Sequence, residues 1–279
     1  MKLLQFYHLQ DEARKLQVGL LKGDSTVVAL STAGTVRDVI RESDIYSLQE
    51  GASYRLDEVK LLSPLTDPEK IICIGLNYHD HVIESNMQVP KVPVLFPKYN
   101  NCLTGHDDEV VIPAEVSQCD YEVELAVVIG KTAKRVPLES AMDYVFGYTV
   151  LNDVSARDIQ LNEPQWTRGK AIDGFAPMGP WIVTADEIEN PGNLSISLKL
   201  NGETMQNSNT KELIFNIPYL VSFLSNTITL QPGDIISTGT PPGVGMGRKP
   251  QVWLKPGDVV EATIEGIGTL RNTFVADQF

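Results

Sequence analysis

Cysteine is scarce in this chain. Its three residues, Cys73, Cys102 and Cys119, cannot all pair with one another and form no C-x-x-C spacing. That excludes a disulfide scaffold, and buried free thiols in a reducing compartment are expected. Long apolar runs are missing too: none approaches the roughly 18 residues that a membrane helix requires. Residues 1–15 hold no apolar stretch of signal-peptide length, because Gln5, His8, Gln10, Asp11 and Glu12 follow the short Leu3-Leu4 pair. A cytoplasmic protein is expected. Positive charge is in short supply, 23 Lys and Arg against 36 Asp and Glu, for a net charge of −13. Such a balance repels nucleic acid and anionic membranes at long range, so neither is an expected partner. Alternating βαβ units, G-x-G-x-x-G opening a helix, a P-loop ending in G-K-[ST] and any fixed repeat period are also absent. Rossmann and TIM-barrel folds, nucleotide sites and solenoids are set aside accordingly.

What is present suffices to bury a substantial core: 279 residues, 42% of them hydrophobic. Short β-branched and aromatic runs bounded by turn residues predict strands over 3–7, 17–21, 26–29, 71–75, 122–129, 147–152, 181–184, 195–200, 235–238 and 259–264. Helical stretches are few, over 79–87, 138–146 and 218–225. The Pro-Gly pairs in 231–234 and 255–258 suit the central positions of type II turns. The expected class is α+β, dominated by strands. A Pro-punctuated segment, 63–68, marks an expected boundary between a small β-rich domain over 1–65 and a main body over 66–279.

Four constellations bear chemistry. In Asp120-Tyr121-Glu122-Val123-Glu124 and the apolar residues after it, the strand period of two sends Val123, Leu125, Val127 and Ile129 to one face. Glu122 and Glu124 then share the other face with Ala126 and Val128. An edge strand with a wet face would accommodate two carboxylates. A second acidic site, Asp153 at the end of Tyr148–Asn152, instead points to an all-oxygen site for magnesium, manganese or calcium. In 75–84, a helix beginning near Tyr78 places His81 and Glu84 three residues apart on one side, as a general base and its orienting carboxylate; His79 competes, and an exposed ion pair is the bland alternative. Arg157, Gln160 and Lys170 offer charge and hydrogen bonds to an anion, although most such residues are simply solvated. The Gly-rich loop 237–247 lets backbone approach a ligand, with Thr240 as a hydroxyl donor, or is a tight turn without function.

Taken in order, G-L-N-Y-x-x-H-x-x-E, D-Y-E-V-E-L-A-V-V-I-G, L-N-D-V-S-A-R-D-x-Q, R-G-K and S-T-G-T-P-x-G-V-G closely resemble the fumarylacetoacetate hydrolase family, from about Lys70 to Phe274. The ending over 245–250 looks most like the subgroup of diketo-deoxy sugar acid hydrolases and proteins labelled ureidoglycolate lyases. The resemblance implies a mixed β-roll catalytic domain in a homodimer. It also implies magnesium or manganese on Glu122, Glu124 and Asp153, with His81 and Glu84 as the water-activating pair and Lys170 assisting. Gln160, Lys170 and Thr240 are then substrate-contacting positions, and the helix from His81 to Met87 a lid; Arg157 and Lys98 are further expected substrate-binding residues. Leu76 departs from the Arg that some relatives carry. The implied substrate is a 2-keto or 2,4-diketo acid, chelated through its carboxylate and 2-keto oxygen and cleaved hydrolytically at a carbon–carbon bond. Decarboxylation of oxaloacetate, isomerisation of a hydroxy-diene-dioate and a non-catalytic binding role on the same scaffold are the alternatives.

Overall fold

The computed structural model describes residues 1–31, 34–41, 48–84 and 88–278. Strands dominate, as expected, and most of them join one mixed sheet. Its centre is the strand Val123–Ile129, flanked by Val145–Asn152 on one side and Ile235–Ser237 on the other, both antiparallel. Beyond Ile235–Ser237 come Ile71–Gly75 in parallel and then Val94–Lys98. Beyond Val145–Asn152 lies Ala176–Thr184, which pairs with Lys2–His8. Through that pairing, the N-terminal meander Lys2–His8, Gln17–Lys22, Thr26–Leu30 and Glu50–Arg55 extends the same sheet. A second sheet, in the order Glu203–Asn209, Ser195–Leu200, Val259–Ile264, Gly268–Ala276 and Glu109–Ile112, packs against the first.

The alternation read in the central strand has a direct structural meaning. Val123, Leu125, Val127 and Ile129 enter the core between the two sheets, beside Tyr148, Val150, Ile196, Leu198 and Phe274. Ala126 and Val128 enter a second core with Leu3, Leu30, Val36, Ile71, Cys73, Met178 and Ile235, around which the large sheet rolls. All seven residues of the strand are therefore buried, and an edge strand with a wet face is excluded. Each fully buried Val, Leu or Ile contributes about 1.5–3 kcal/mol, which helps offset the cost of keeping carboxylates at this depth.

Several local expectations are met and others corrected. The Pro-Gly turns close as i to i+3 hydrogen bonds, Asp234 N to Gln231 O and Asp258 N to Lys255 O, with Gly233 and Gly257 at φ +86° and +95°. The helix predicted over 218–225 is Ile217–Thr227, begun by an Asn216 cap and a proline in its first turn. The helix predicted over 138–146 is a 3₁₀ segment, Leu138–Tyr144, and the pairing of Val145 with Ile129 claims the remaining residues for a strand. The strand predicted over 181–184 starts earlier, at Ala176, its prolines notwithstanding. Of the helix predicted over 79–87, His79–Glu84 is observed and residues 85–87 lie outside the described ones. The three cysteines are free and buried. Among the described residues no helix is long and apolar enough to cross a membrane.

Candidate metal centre and catalytic cleft

Backbone pairing sets the three carboxylates together. Val123 and Glu124 stand opposite Asn152 and Leu151. Just past the paired ends, Asp153 N donates to Glu122 O at 2.8 Å, and Glu122 N donates to Asn152 Oδ1 at 2.9 Å. One oxygen from each of Glu122, Glu124 and Asp153 then lies within 4.8 Å of the others, and all three residues are buried. Glu124 is held from behind by Ser237 Oγ at 2.5 Å and Gly239 N at 3.0 Å, both donating to Oε2.

The cations around this cluster are all engaged. Lys170 Nζ donates to Glu122 Oε2 and Asp153 Oδ2, at 2.7 Å each. Arg157 donates from Nη2 to Glu122 Oε1 at 2.5 Å, from Nε to Asp120 Oδ2 at 2.9 Å and from Nη1 to Gln160 Oε1 at 2.9 Å. Lys98 lies behind the carboxylates. Its ammonium donates to the carbonyls of Val154, Lys170 and Phe175 at 3.0, 2.5 and 2.7 Å, which uses its three N–H groups. Its approach to Asp153 Oδ1, 2.8 Å, is thus electrostatic.

These neighbours set the ionisation of the cluster. Burial would raise Glu122, but Arg157 and then Lys170 outweigh it and hold its carboxyl well below the usual carboxylate range. Burial pushes Glu124 up to about 8, and the negative charges of Asp153 and Glu122 reinforce it. Lys170 loses by burial, yet Asp153 and Glu122 more than compensate and hold it above its ordinary value, so it stays an ammonium. The thiol of Cys73, beside this cluster, is pushed well up by burial and by Asp153 and Glu124, which makes it inert.

The residues fit a hard divalent cation. Asp153 Oδ1 is buried and receives no hydrogen bond. The Glu124 carboxyl is pushed up to about 8, so added positive charge would favour its ionised form, and the donor set is all oxygen. Such an ion would satisfy the orphaned oxygen and let Glu124 ionise.

A cleft open to solvent, with a cavity volume of about 50 Å³, leads to this centre. His81, Glu122, Glu124, Arg157, Gln160, Lys170 and Thr240 line it, together with Ile74, Gly75, Leu76, Phe96, Leu161, Trp166 and Met246. His81 Nδ1 is 3.2 Å from Glu84 Oε2, and Glu84 accepts from Gly243 N at 3.0 Å, which ties the His79–Glu84 helix to the Gly-rich loop. His79 is exposed. The Thr240 hydroxyl donates to Val123 O and accepts from Gln206 Nε2, so its one proton is already committed. Gly169 matters for closeness: a Cβ there would stand 2.5 Å from Gln160 N, and only glycine lets the Thr167–Lys170 turn, which carries Lys170, pack on Arg157–Gln160.

Asp120 escaped the sequence reading. Fully buried, it accepts from Gly245 N at 2.7 Å and Met246 N at 3.1 Å as well as from Arg157, and so joins the Gly-rich loop to the metal-side guanidinium. The signal available was its place two residues ahead of Glu122.

Residues 70–275 match the family model described as Fumarylacetoacetate (FAA) hydrolase C-terminal. The chain belongs to the fumarylacetoacetate hydrolase family. Within it, the chain is 50% identical over 219 residues to the mitochondrial oxaloacetate tautomerase fahd2 of Xenopus laevis, an alignment covering 78% of this chain and 69% of that protein. Among solved structures, the fumarylacetoacetate hydrolase of psychrophilic Exiguobacterium antarcticum superposes with a TM-score of 0.86 at 36% identity, over 99% of this chain and all of that one. The 2-hydroxyhepta-2,4-diene-1,7-dioate isomerase of Mycobacterium marinum gives 0.83 at 34% identity over the whole of both chains. The family's members thus include a tautomerase, a hydrolase and an isomerase by name, on one fold.

Proposed function

We propose that this family member is a divalent-metal-dependent enzyme that generates an enolate from a 2-keto acid, and that keto–enol tautomerisation is its activity. The observation that carries the reading is the pairing of the Glu122, Glu124 and Asp153 cluster with His81 in one cleft. Glu122, Glu124 and Asp153 would hold magnesium or manganese, which would supply Lewis acidity towards negative charge developing on a 2-keto oxygen. Lys170, kept an ammonium by Asp153 and Glu122, adds positive charge on the same side. Glu84 accepts the Nδ1 proton of His81, which leaves Nε2 to take the proton from C3 of the acid and return it to carbon or oxygen. Arg157 and Gln160, locked to one another, orient the carboxylate end. The tautomerase name of the Xenopus relative, at 50% identity, supports this choice of outcome.

Hydrolysis of a 2,4-diketo acid is the second reading, favoured by the same His81–Glu84 pair, which is equally suited to removing a proton from water. In that case a carbon–carbon bond breaks to give a 2-keto acid and a second acid. A homodimer and a cytosolic setting belong to this proposal, the latter supported by three unpaired buried thiols.

Mass-resolved product analysis of ion-stripped protein, with and without magnesium or manganese, separates the readings on oxaloacetate and a panel of acylpyruvates. Ion-dependent interconversion of keto and enol forms at unchanged mass is expected. Release of a 2-keto acid plus a second acid would replace tautomerisation by hydrolysis, and carbon dioxide would indicate decarboxylation.

A further inference from the structure

The cleft has two unlike ends. Its inner end is the carboxylate cluster with Lys170 and Arg157. From there an aromatic wall runs outward: Lys170 Nζ stands 4.9 Å above the Phe96 ring, and Phe96 meets Trp166 edge to face at 5.7 Å. Trp166 packs so closely on Gly75 that a Cβ there would lie 2.8 Å from its ring. The next residue, Leu76, lines the cleft from a left-handed backbone conformation, φ +56°, which a non-glycine residue adopts only under constraint. Leu161, another lining residue, is 51% exposed. An apolar wall therefore connects the charged centre to solvent.

Charge makes the asymmetry specific. The lining holds two permanent cations among the described residues, Arg157 and Lys170, and both are bonded to Asp120, Glu122 or Asp153. His81 is matched by Glu84. Positive side-chain charge is thus confined to the inner end, where an anionic head group would be met. A second carboxylate, carried on the tail, would have to shed water against Phe96, Trp166 and Leu76, where no Lys or Arg lines the cleft among the described residues besides Arg157 and Lys170 at its inner end.

We propose that the outer cleft is a tail subsite that selects 2-keto acids bearing a long, uncharged apolar group, aromatic or branched, over dicarboxylates. This rests on the enolate-forming reading of the same centre and names the substrate class it serves.

The test compares magnesium-loaded wild-type protein with two variants, Trp166→Ala and Leu161→Ala, on phenylpyruvate and oxaloacetate. Wild type is expected to favour phenylpyruvate by about tenfold or more in kcat/KM, a ratio that apolar contacts of this size supply. Trp166→Ala should remove most of that preference while oxaloacetate changes by less than about threefold, and Leu161→Ala, at an exposed position that folding does not depend on, should lower phenylpyruvate alone by about threefold. A preference for oxaloacetate, or equal losses on both acids in the variants, would overturn the subsite. If neither acid is turned over, the enolate reading fails, and calorimetric binding to the magnesium-loaded protein still decides the subsite: tighter phenylpyruvate, weakened by Trp166→Ala, supports it, and tighter oxaloacetate refutes it.

Discussion

Glu124 is pulled two ways, buried beside two other carboxylates yet placed where an ion needs its charge. Its carboxyl is pushed up to about 8 in the ion-free protein, above its unfolded value, so it stays protonated through neutral pH. A group shifted this way stabilises the ion-free fold fully at acid pH, and the contribution is lost as pH rises towards 8. Binding of a divalent ion through Glu124 would displace the proton. Calorimetry should therefore show magnesium or manganese affinity rising between pH 6 and 8 with proton release, and an affinity flat over that range would mean that Glu124 is not a ligand. His81→Ala should reduce turnover by about 10²–10⁴ while leaving ion affinity unchanged, and a full rate would remove it as the base. Asp120 makes a different prediction. Its replacement by Ala leaves Arg157 Nε and the Gly245 and Met246 amides without their partner, and urea denaturation should register a loss of about 3–5 kcal/mol.

At the scale of elements, legibility followed periodicity. The central strand was readable because its apolar alternation is unbroken from Val123 to Ile129, and the carboxylates could be assigned to one face from spacing alone. Asp153 was readable because it ends a second apolar run. Glu203–Asn209 was not predicted: its residues are polar or small apart from Met205, and its pairing with Ser195–Leu200 makes it a strand. Val94–Lys98 is broken by Pro97, and Arg157–Gln160 and Thr167–Lys170 are single turns too short to show a helical period. Partnerships between distant segments were invisible for the same reason. Nothing local indicates that Lys98 is enclosed by Val154, Lys170 and Phe175, or that Gln206 braces Thr240. The packing of the two single turns yields its own test. Gly169→Ala places a methyl against Gln160 N and the Ala156 carbonyl, so thermal melting should report a loss of about 1–3 kcal/mol, with turnover falling as Lys170 shifts.

Across the whole molecule, the N-terminal meander and the catalytic body share one sheet through Lys2–His8 and Ala176–Thr184, one strand removed from Val145–Asn152, which leads to Asp153. Deleting residues 1–62 would uncover the edge of Ala176–Thr184 and the apolar residues Ile182 and Met178 behind it, and size-exclusion chromatography should show aggregation of the shortened chain. In the proposed function, the large sheet supports a centre whose chemistry is one event, exchange of a proton at C3 of a bound 2-keto acid. Proton NMR in deuterated buffer reads that event directly, on oxaloacetate or phenylpyruvate, with ion-stripped protein before and after magnesium is restored. Deuterium should appear at C3 above the rate with magnesium alone, only when protein and ion are both present, and should be lost in His81→Ala; exchange that ignores the ion, or no exchange beyond the protein-free rate, would contradict a metal-assisted enolate.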